Sequence, residues 1–260
     1  MLVAKGLQKS YDHLPVIKNV NLSIDVGKSI AIIGPNGSGK STLLKLLIGE
    51  ERLDRGMISF LGEPLTRFSH KERAKYIGVL PQTGLPEILF TVSEIVEMGR
   101  YPLQGNKLWL SADDKNRVAD MMDELELTAF THRFLTEMSG GERQRVALAK
   151  TMVQEPKLIV LDEPTTYLDL QYQLSILDKL HQWKNQRNTT LLMVLHDINL
   201  AALYCDEIIM LKKGEIYQQG SPNDVIQTDH IKAVYGIEPL IIAHPTKGVP
   251  QIFLNGYAGG

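Results

Sequence analysis

A single cysteine, Cys205, stands in a chain of 260 residues. One thiol can neither close an internal disulfide nor supply a cysteine-rich zinc site. Neither sign of charge prevails: 28 Lys and Arg face 30 Asp and Glu, a formal net charge of −2. The basic excess of a nucleic-acid binder is missing, and no nucleic-acid partner is expected. Long apolar runs are missing too. The strongest, Ile30–Ile33, Leu158–Leu161 and Leu191–Leu195, fall far below the ~18 residues a spanning helix needs. The opening MLVAKGLQKSYD lacks the apolar stretch of a secretory signal, so a soluble, cytoplasmic chain is expected, still able to sit on a membrane through a partner. No internal repeat, low-complexity tract or heptad pattern is present, which argues against a coiled coil.

What remains is ordinary globular composition, 43% hydrophobic and 22% charged, in a length that suits one or two domains with a full core. Short apolar runs of this kind fit buried strands of a parallel sheet. Strands are expected at Leu2–Tyr11, Val20–Ile24, Ser29–Ile33, Met57–Leu61 and Ile77–Leu80, with a helix from Lys40 to Ile48 stopped by Gly49. From about Gly84 to Glu155 the pattern turns helical. Val118, Met121, Met122 and Leu125 share one face, as do Val146, Ala149 and Val153, and Pro156 closes the segment. Alternation then resumes: strand Leu158–Leu161, helix Leu170–Gln186, strand Thr190–Leu195, helix Asp197–Tyr204. A hairpin of Ile208–Leu211 and Glu215–Gln218 turns on Lys212-Lys213-Gly214. Such alternation implies an α/β fold with a mostly parallel sheet, and residues 85–155 read as a helical insertion in it.

Gly34-Pro35-Asn36-Gly37-Ser38-Gly39-Lys40-Ser41 fits G-x-x-x-x-G-K-[ST] between an apolar strand and a helix, the context that pattern requires. Its glycines let successive N–H groups point at phosphate oxygens, and the helix start adds its dipole. Lys40 suits the β and γ phosphates, and the Ser41 hydroxyl suits magnesium. Thr42 follows in the same nucleotide-binding set. A second element, Leu158-Ile159-Val160-Leu161-Asp162-Glu163-Pro164, is a buried strand ending in two carboxylates, the end where open α/β sheets bind ligands. Asp162 suits a magnesium ligand and Glu163 a general base that polarises an attacking water.

Between the two elements lies Met138-Ser139-Gly140-Gly141-Glu142-Arg143-Gln144. Ser139 and Glu142 make a capping box before an apolar-periodic helix, and a capped, glycine-rich helix start also offers N–H groups to an anion. The segment resembles the LSGGQ signature of ATP-binding cassette (ABC) ATPases, with Met138 for Leu and Glu142 for Gln. The resemblance covers nearly the whole chain, with its elements in the expected order. It implies a P-loop NTPase (RecA-like) core, residues 1–84 plus 156–260, with an antiparallel β subdomain and the helical subdomain 85–155. It also implies roles. Tyr11 stacks on adenine. Gln82 is the Q-loop glutamine that reaches magnesium and the attacking water. Leu168-Asp169 is the D-loop, and His196 is the switch histidine at the γ-phosphate. Ser139, Gly140 and Gly141 bind ATP held by a second copy, so two subunits pack head to tail around two ATP molecules.

The same resemblance implies ATP hydrolysis at the cytoplasmic face of the cell membrane, beside integral-membrane permease subunits that dock near Gln82–Pro102 and, indirectly, a substrate-binding protein. Gly99-Arg100-Tyr101-Pro102, Pro164–Leu170 and Val234-Tyr235-Gly236 look like the ATPases of iron–siderophore, haem and cobalamin importers. Relatives that act in DNA repair, chromosome organisation or translation are the alternative, but they usually carry two cassettes or coiled-coil inserts. The signature segment disfavours a free-standing P-loop ATPase of another family.

Overall fold

Aliphatic runs make the strands, and their burial shows which face each turns inward. The computed structural model describes residues 1–86, 88–105, 109–165 and 169–254. In chain order its strands are β1 (Leu2–Tyr11), β2 (Leu14–Ile24), β3 (Ser29–Ile33), β4 (Arg55–Phe60), β5 (Glu63–Pro64), β6 (Ile77–Leu80), β7 (Leu158–Asp162), β8 (Thr190–Val194), β9 (Glu207–Lys212), β10 (Glu215–Gly220), β11 (Leu240–Ala243) and β12 (Pro250–Phe253). Its helices are α1 (Lys40–Ile48), α2 (His70–Arg73), α3 (Val92–Met98), α4 (Ala112–Glu124), α5 (Gly140–Met152), α6 (Leu170–Arg187), α7 (Ile198–Tyr204), α8 (Pro222–Val225) and α9 (Thr228–Tyr235). Met1–Arg67 with Leu191–Gly260 form one compact unit, and Phe68–Thr190 a second.

In the first unit β2, β1, β4 and β5 make an antiparallel sheet. Leu2 pairs with Ile24 on one side and Phe60 on the other, and all three are buried. Such cross-strand apolar pairing is what sets register. The wholly buried β3 lies between β8 and β9, parallel to both, and β10 adds antiparallel to β9. The expected hairpin turn is present, with Lys213 at φ 49 and Gly214 at φ 85. This left-handed pair suits the twist of a two-residue hairpin. The turn also steadies the phosphate loop: Gly214 N–H donates to Ser38 O at 3.0 Å, and Lys18 N–H donates to Gly214 O at 2.8 Å. A β11–β12 hairpin that the sequence reading did not foresee is tied to α7, where Asn199 Nδ2 donates to Ile252 O and Asn199 Oδ1 accepts from Ile252 N–H.

In the second unit β6 and β7 pair in parallel, Ile77 opposite Leu158 through Leu80 opposite Leu161. Val118, Met121, Met122 and Leu125 are all buried, as the periodicity predicts, and so are Val146, Ala149 and Val153. The helix boundary needs correction. α5 stops at Met152, short of the expected end at Glu155. Pro156 excludes Glu155 from the helical region, and Glu155 sits at φ 52. Its carboxylate is held by Arg117 at 2.6 Å, Arg187 at 2.6 Å and Arg100 at 3.3 Å.

Gly99 makes this cluster possible. A Cβ there would lie 2.1 Å from Lys150 O, so only glycine lets the end of α3 lie against α5. The next residue, Arg100, is buried and donates to Asp114 and to Val153 O, both at 2.8 Å. The Ser111 hydroxyl, and after it the Arg100 guanidinium, holds the Asp114 carboxyl below the usual range against the effect of burial. A depressed carboxyl stabilises the fold at neutral pH, and this contribution disappears as pH falls through the folded-state value. Arg100→Met is expected to cost about 3 kcal/mol, because it removes the buried partner of the half-buried Asp114 carboxylate and leaves Val153 O without its donor. Urea unfolding at pH 7 measures it. A loss under 1 kcal/mol would mean that the cluster is not structurally important.

Candidate nucleotide site

The phosphate loop of the first unit follows β3 and runs into α1. Its three glycines take positive φ: Gly34 150, Gly37 76 and Gly39 101. A Cβ on Gly34 would lie 2.4 Å from Leu211 O, so the loop is shaped by close backbone approach as well as by φ. Each of α2 to α8 has a side-chain oxygen accepting a backbone N–H at its N-cap. At α1 the N-cap is Gly39, with no side-chain cap and no acidic residue in the first turn. The start of α1 therefore presents backbone donors and the positive end of its dipole, a site for an anion.

Lys40 is buried, and its Nζ donates to Gly34 O at 2.9 Å and Pro35 O at 3.2 Å. These bonds fold the loop around the cation. Ser38 N–H donates to Pro35 O, while Ser38 Oγ is buried without a partner among the described residues. Asn36 and Gly37 are exposed at the tip, and Ser41 and Thr42 are half-buried behind it. The loop suits a polyphosphate: the start of α1 has no side-chain cap on its backbone donors, and a lysine stands beside it.

The other expected residues of this unit lie at strand ends. Tyr11 closes β1 and is 40% exposed. Lys9 Nζ lies 5.0 Å from the ring centroid and is held by Glu51 at 2.8 Å. An exposed aromatic face at a strand end can accept a flat base. His196 follows β8, exposed, and precedes Asp197, which caps α7. One neighbour of the loop escaped the sequence reading. Burial pushes the Tyr235 phenol well up, opposed by a hydrogen bond with the Gly34 backbone. The Val234-Tyr235-Gly236 pattern carried only a subfamily likeness, with no sign that it reaches the loop.

In the second unit the two carboxylates close β7. Asp162 is buried, and Glu163 takes φ 57, a left-handed conformation uncommon outside glycine and asparagine. Gln82 Nε2 donates to Glu163 Oε2 at 2.6 Å. Strand register brings them together. The β6–β7 pairing sets Leu80 opposite Leu161, so Gln82 and Glu163 each lie two residues beyond that pair, at the carboxyl ends of parallel neighbours. Asp162 carries the hard carboxylate oxygens that magnesium takes.

The signature segment opens α5 as expected. Ser139 Oγ accepts from Glu142 N–H at 3.4 Å, and Glu142 Oε2 accepts from Ser139 N–H at 2.7 Å. The Ser139 N–H, followed by its hydroxyl, holds the Glu142 carboxyl below its usual range. Glutamate thus fills the capping role that glutamine would fill in the family motif. A Cβ on Gly140 would meet nothing within 4 Å, whereas one on Gly141 would press on the Tyr172 ring at 3.2 Å. Gly140 thus leaves the helix start open to a ligand. Arg143 ties it down from below, donating to Met138 O and Thr136 O. Asp169 caps α6, accepting from Tyr172 N–H at 3.0 Å; Leu168, with Thr166 and Tyr167, lies outside the described residues. The contact missed altogether is Gln144, whose Nε2 donates to Pro164 O at 3.0 Å.

The family described as ABC transporter matches residues 17–166. The hemin import ATP-binding protein HmuV of Thermobifida fusca is 38% identical over 97% of this chain and 88% of that protein. The iron(3+)-hydroxamate import ATP-binding protein FhuC of Bacillus subtilis is 37% identical over 96% of this chain and 93% of that protein. Among solved structures, an inward-facing transporter described as of metal-chelate type aligns with a TM-score of 0.84 and 26% identity, covering 98% of this chain and 97% of that one. A dimeric ATP-binding cassette in a post-hydrolysis state, bound to ADP and Pi, aligns at 0.75 with 30% identity over 85% of this chain and 98% of that one.

Proposed function

The chain belongs to the ABC transporter family and is an ATP hydrolase of it, and on that premise we propose that it drives import of a metal chelate of the ferric siderophore, haem or cobalamin class. The reading is carried by identity of 37–38%, over nearly the whole chain, to ATP-binding proteins of hemin and iron-hydroxamate import. No described helix is long and apolar enough to cross a membrane. On the importer reading the chain works on the cytoplasmic face, bound to permease subunits. Segment Gln82–Pro102 suits that docking, since Leu89, Phe90 and Tyr101 stay exposed along it, and aromatic residues such as the last two are enriched in interfaces.

The residues take these roles. Tyr11 stacks on the adenine. The loop Gly34 to Ser41, through its backbone N–H groups (Pro35 has none), and the Lys40 ammonium hold the phosphates, with Thr42 beside them, and His196 contacts the γ-phosphate. Ser41, Asp162 and Gln82 would hold Mg2+, which would neutralise phosphate charge. Glu163 accepts a proton from water as its oxygen bonds to the γ-phosphorus. The bond from that phosphorus to the bridging oxygen breaks, and the electron pair leaves on ADP. Ser139, Gly140 and Gly141 of a second copy contact the same γ-phosphate, and Asp169 lies at the dimer seam. ATP therefore joins two chains head to tail, and hydrolysis releases them. The helical subdomain 85–155 follows the phosphate state, because Gln82 precedes it and the signature helix ends it.

Proteoliposomes carrying the chain with its cognate permease and binding protein test this. ATP-dependent uptake of one of ferric chelate, haem or cobalamin is expected. Uptake of none, with ATP turnover unresponsive to loaded binding protein, would overturn the importer reading.

A further inference from the structure

Gln144 has no part in the roles above, yet it joins three of their segments. It is the fifth residue of α5, and its amide nitrogen donates to Pro164 O at 3.0 Å. Its amide oxygen would lie 3.8 Å from a Cβ on Gly84, ordinary contact distance. Gly84 is left-handed at φ 64, and its N–H donates to Pro81 O at 3.0 Å, closing the turn that carries Gln82. Gln82 in turn holds Glu163 at 2.6 Å, next to Pro164. The bonds run from α5 through Pro164 and Glu163 to Gln82, whose turn, at Gly84, lies beside Gln144.

Glu163 needs such a frame. A non-glycine residue keeps a left-handed conformation only where its surroundings hold it, and Glu163 sits at φ 57. Gln82 grips its carboxylate from one side. Gln144 bonds the carbonyl of the next residue, Pro164, which has no N–H of its own to fix the turn. In the head-to-tail dimer of the proposed function, the start of α5 and Glu163 of one chain serve different ATP molecules. Ser139 to Gly141 meet the ATP on the partner's phosphate loop, and Glu163 acts on the ATP of its own chain. The Gln144–Pro164 bond stands between the two.

We propose that Gln144 is a positioning residue that couples the two ATP sites, carrying a shift of α5 at the partner's ATP into the orientation of Glu163 at its own. The proposal rests on the ATP-hydrolase reading with Glu163 as base. Misplacing a base by a fraction of an ångström slows the chemical step and leaves substrate binding alone.

Steady-state hydrolysis of MgATP by the full chain tests it. Gln144→Ala is expected to lower kcat about tenfold and to change KM less than twofold. Gln144→Glu keeps the size but loses the donor, and is expected to match it; Gln144→Lys keeps a donor of similar reach and should recover at least half of the wild-type kcat. In a Glu163→Gln background, Gln144→Ala should lower the residual rate no further, because both changes act through one group. It should also leave the ATP-driven dimer of Glu163→Gln intact, which damage to the signature segment would not. A Gln144→Ala kcat within twofold of wild type, a raised KM with loss of that dimer, or additive effects would overturn the proposal and leave Gln144 as packing. If Gln144→Ala does not fold, the isosteric Gln144→Glu decides by the same readouts. Absence of Mg2+-dependent turnover in the wild type would instead sink the parent reading.

Discussion

Glu163→Gln is expected to bind ATP as tightly as the wild type and to turn it over about a thousandfold more slowly, the range lost when a general base is removed. The amide keeps the size of the carboxylate and can still meet Gln82, now held at 2.6 Å. It cannot accept a proton from water. Because its shape is preserved, the φ 57 turn and the Pro164 contact should persist, so the loss would report chemistry and not unfolding. Binding by titration, paired with phosphate release under saturating MgATP, separates the two. Turnover near wild type would remove Glu163 as the base. A stable ATP-bound dimer is the expected companion result, because γ-phosphate that is not cleaved keeps joining both chains.

The second large effect concerns Lys40. Lys40→Ala is expected to weaken ATP binding about a hundredfold. Hydrogen bonds to charged groups contribute about 1.5–3 kcal/mol each, and the ammonium answers several phosphate oxygens. The loop loses something more. Lys40 Nζ is bonded to Gly34 O and Pro35 O, so the cation also keeps the loop folded around an anion's place. Affinity by calorimetry checks this, with the melting temperature as a control for α1. Unchanged ATP affinity would count against the phosphate-loop reading. Lys40→Arg should not rescue, because the ammonium is buried within the loop and a planar guanidinium cannot replace a compact point charge there.

Much of the site is legible along the chain because its physics is local. Gly34 to Ser41 announces itself through spacing, and α1 begins at Lys40 and stops before Gly49 where the glycines say it should. The capping box of Ser139 and Glu142 is readable for the same reason, since both partners lie within one helical turn. The buried strands β3, β7 and β8 appear as apolar runs. The C-terminal hairpin β11–β12 is not legible. Leu240, Ile242 and Phe253 remain about half exposed, so no strong alternation between a buried and a solvated face marks its strands. The end of α5 is also misread by three residues, because Glu155 leaves the helix for arginines supplied by three other segments.

By itself, then, the sequence determined the elements whose cause lies within a few residues: glycine φ freedom, helix caps, apolar periodicity and a lysine beside a helix start. Only the tertiary structure decided which distant polar groups meet. Gln82 reaches Glu163 across 81 residues because β6 and β7 run parallel in one register. Gln144 on α5 reaches Pro164 beyond the end of β7, and Arg100 reaches Asp114 and Glu155 because α5 and α3 pack closely enough for only Gly99 to fit. A glutamine or an arginine has no period that points to its partner. Its bond exists only once burial has fixed the backbones on both sides.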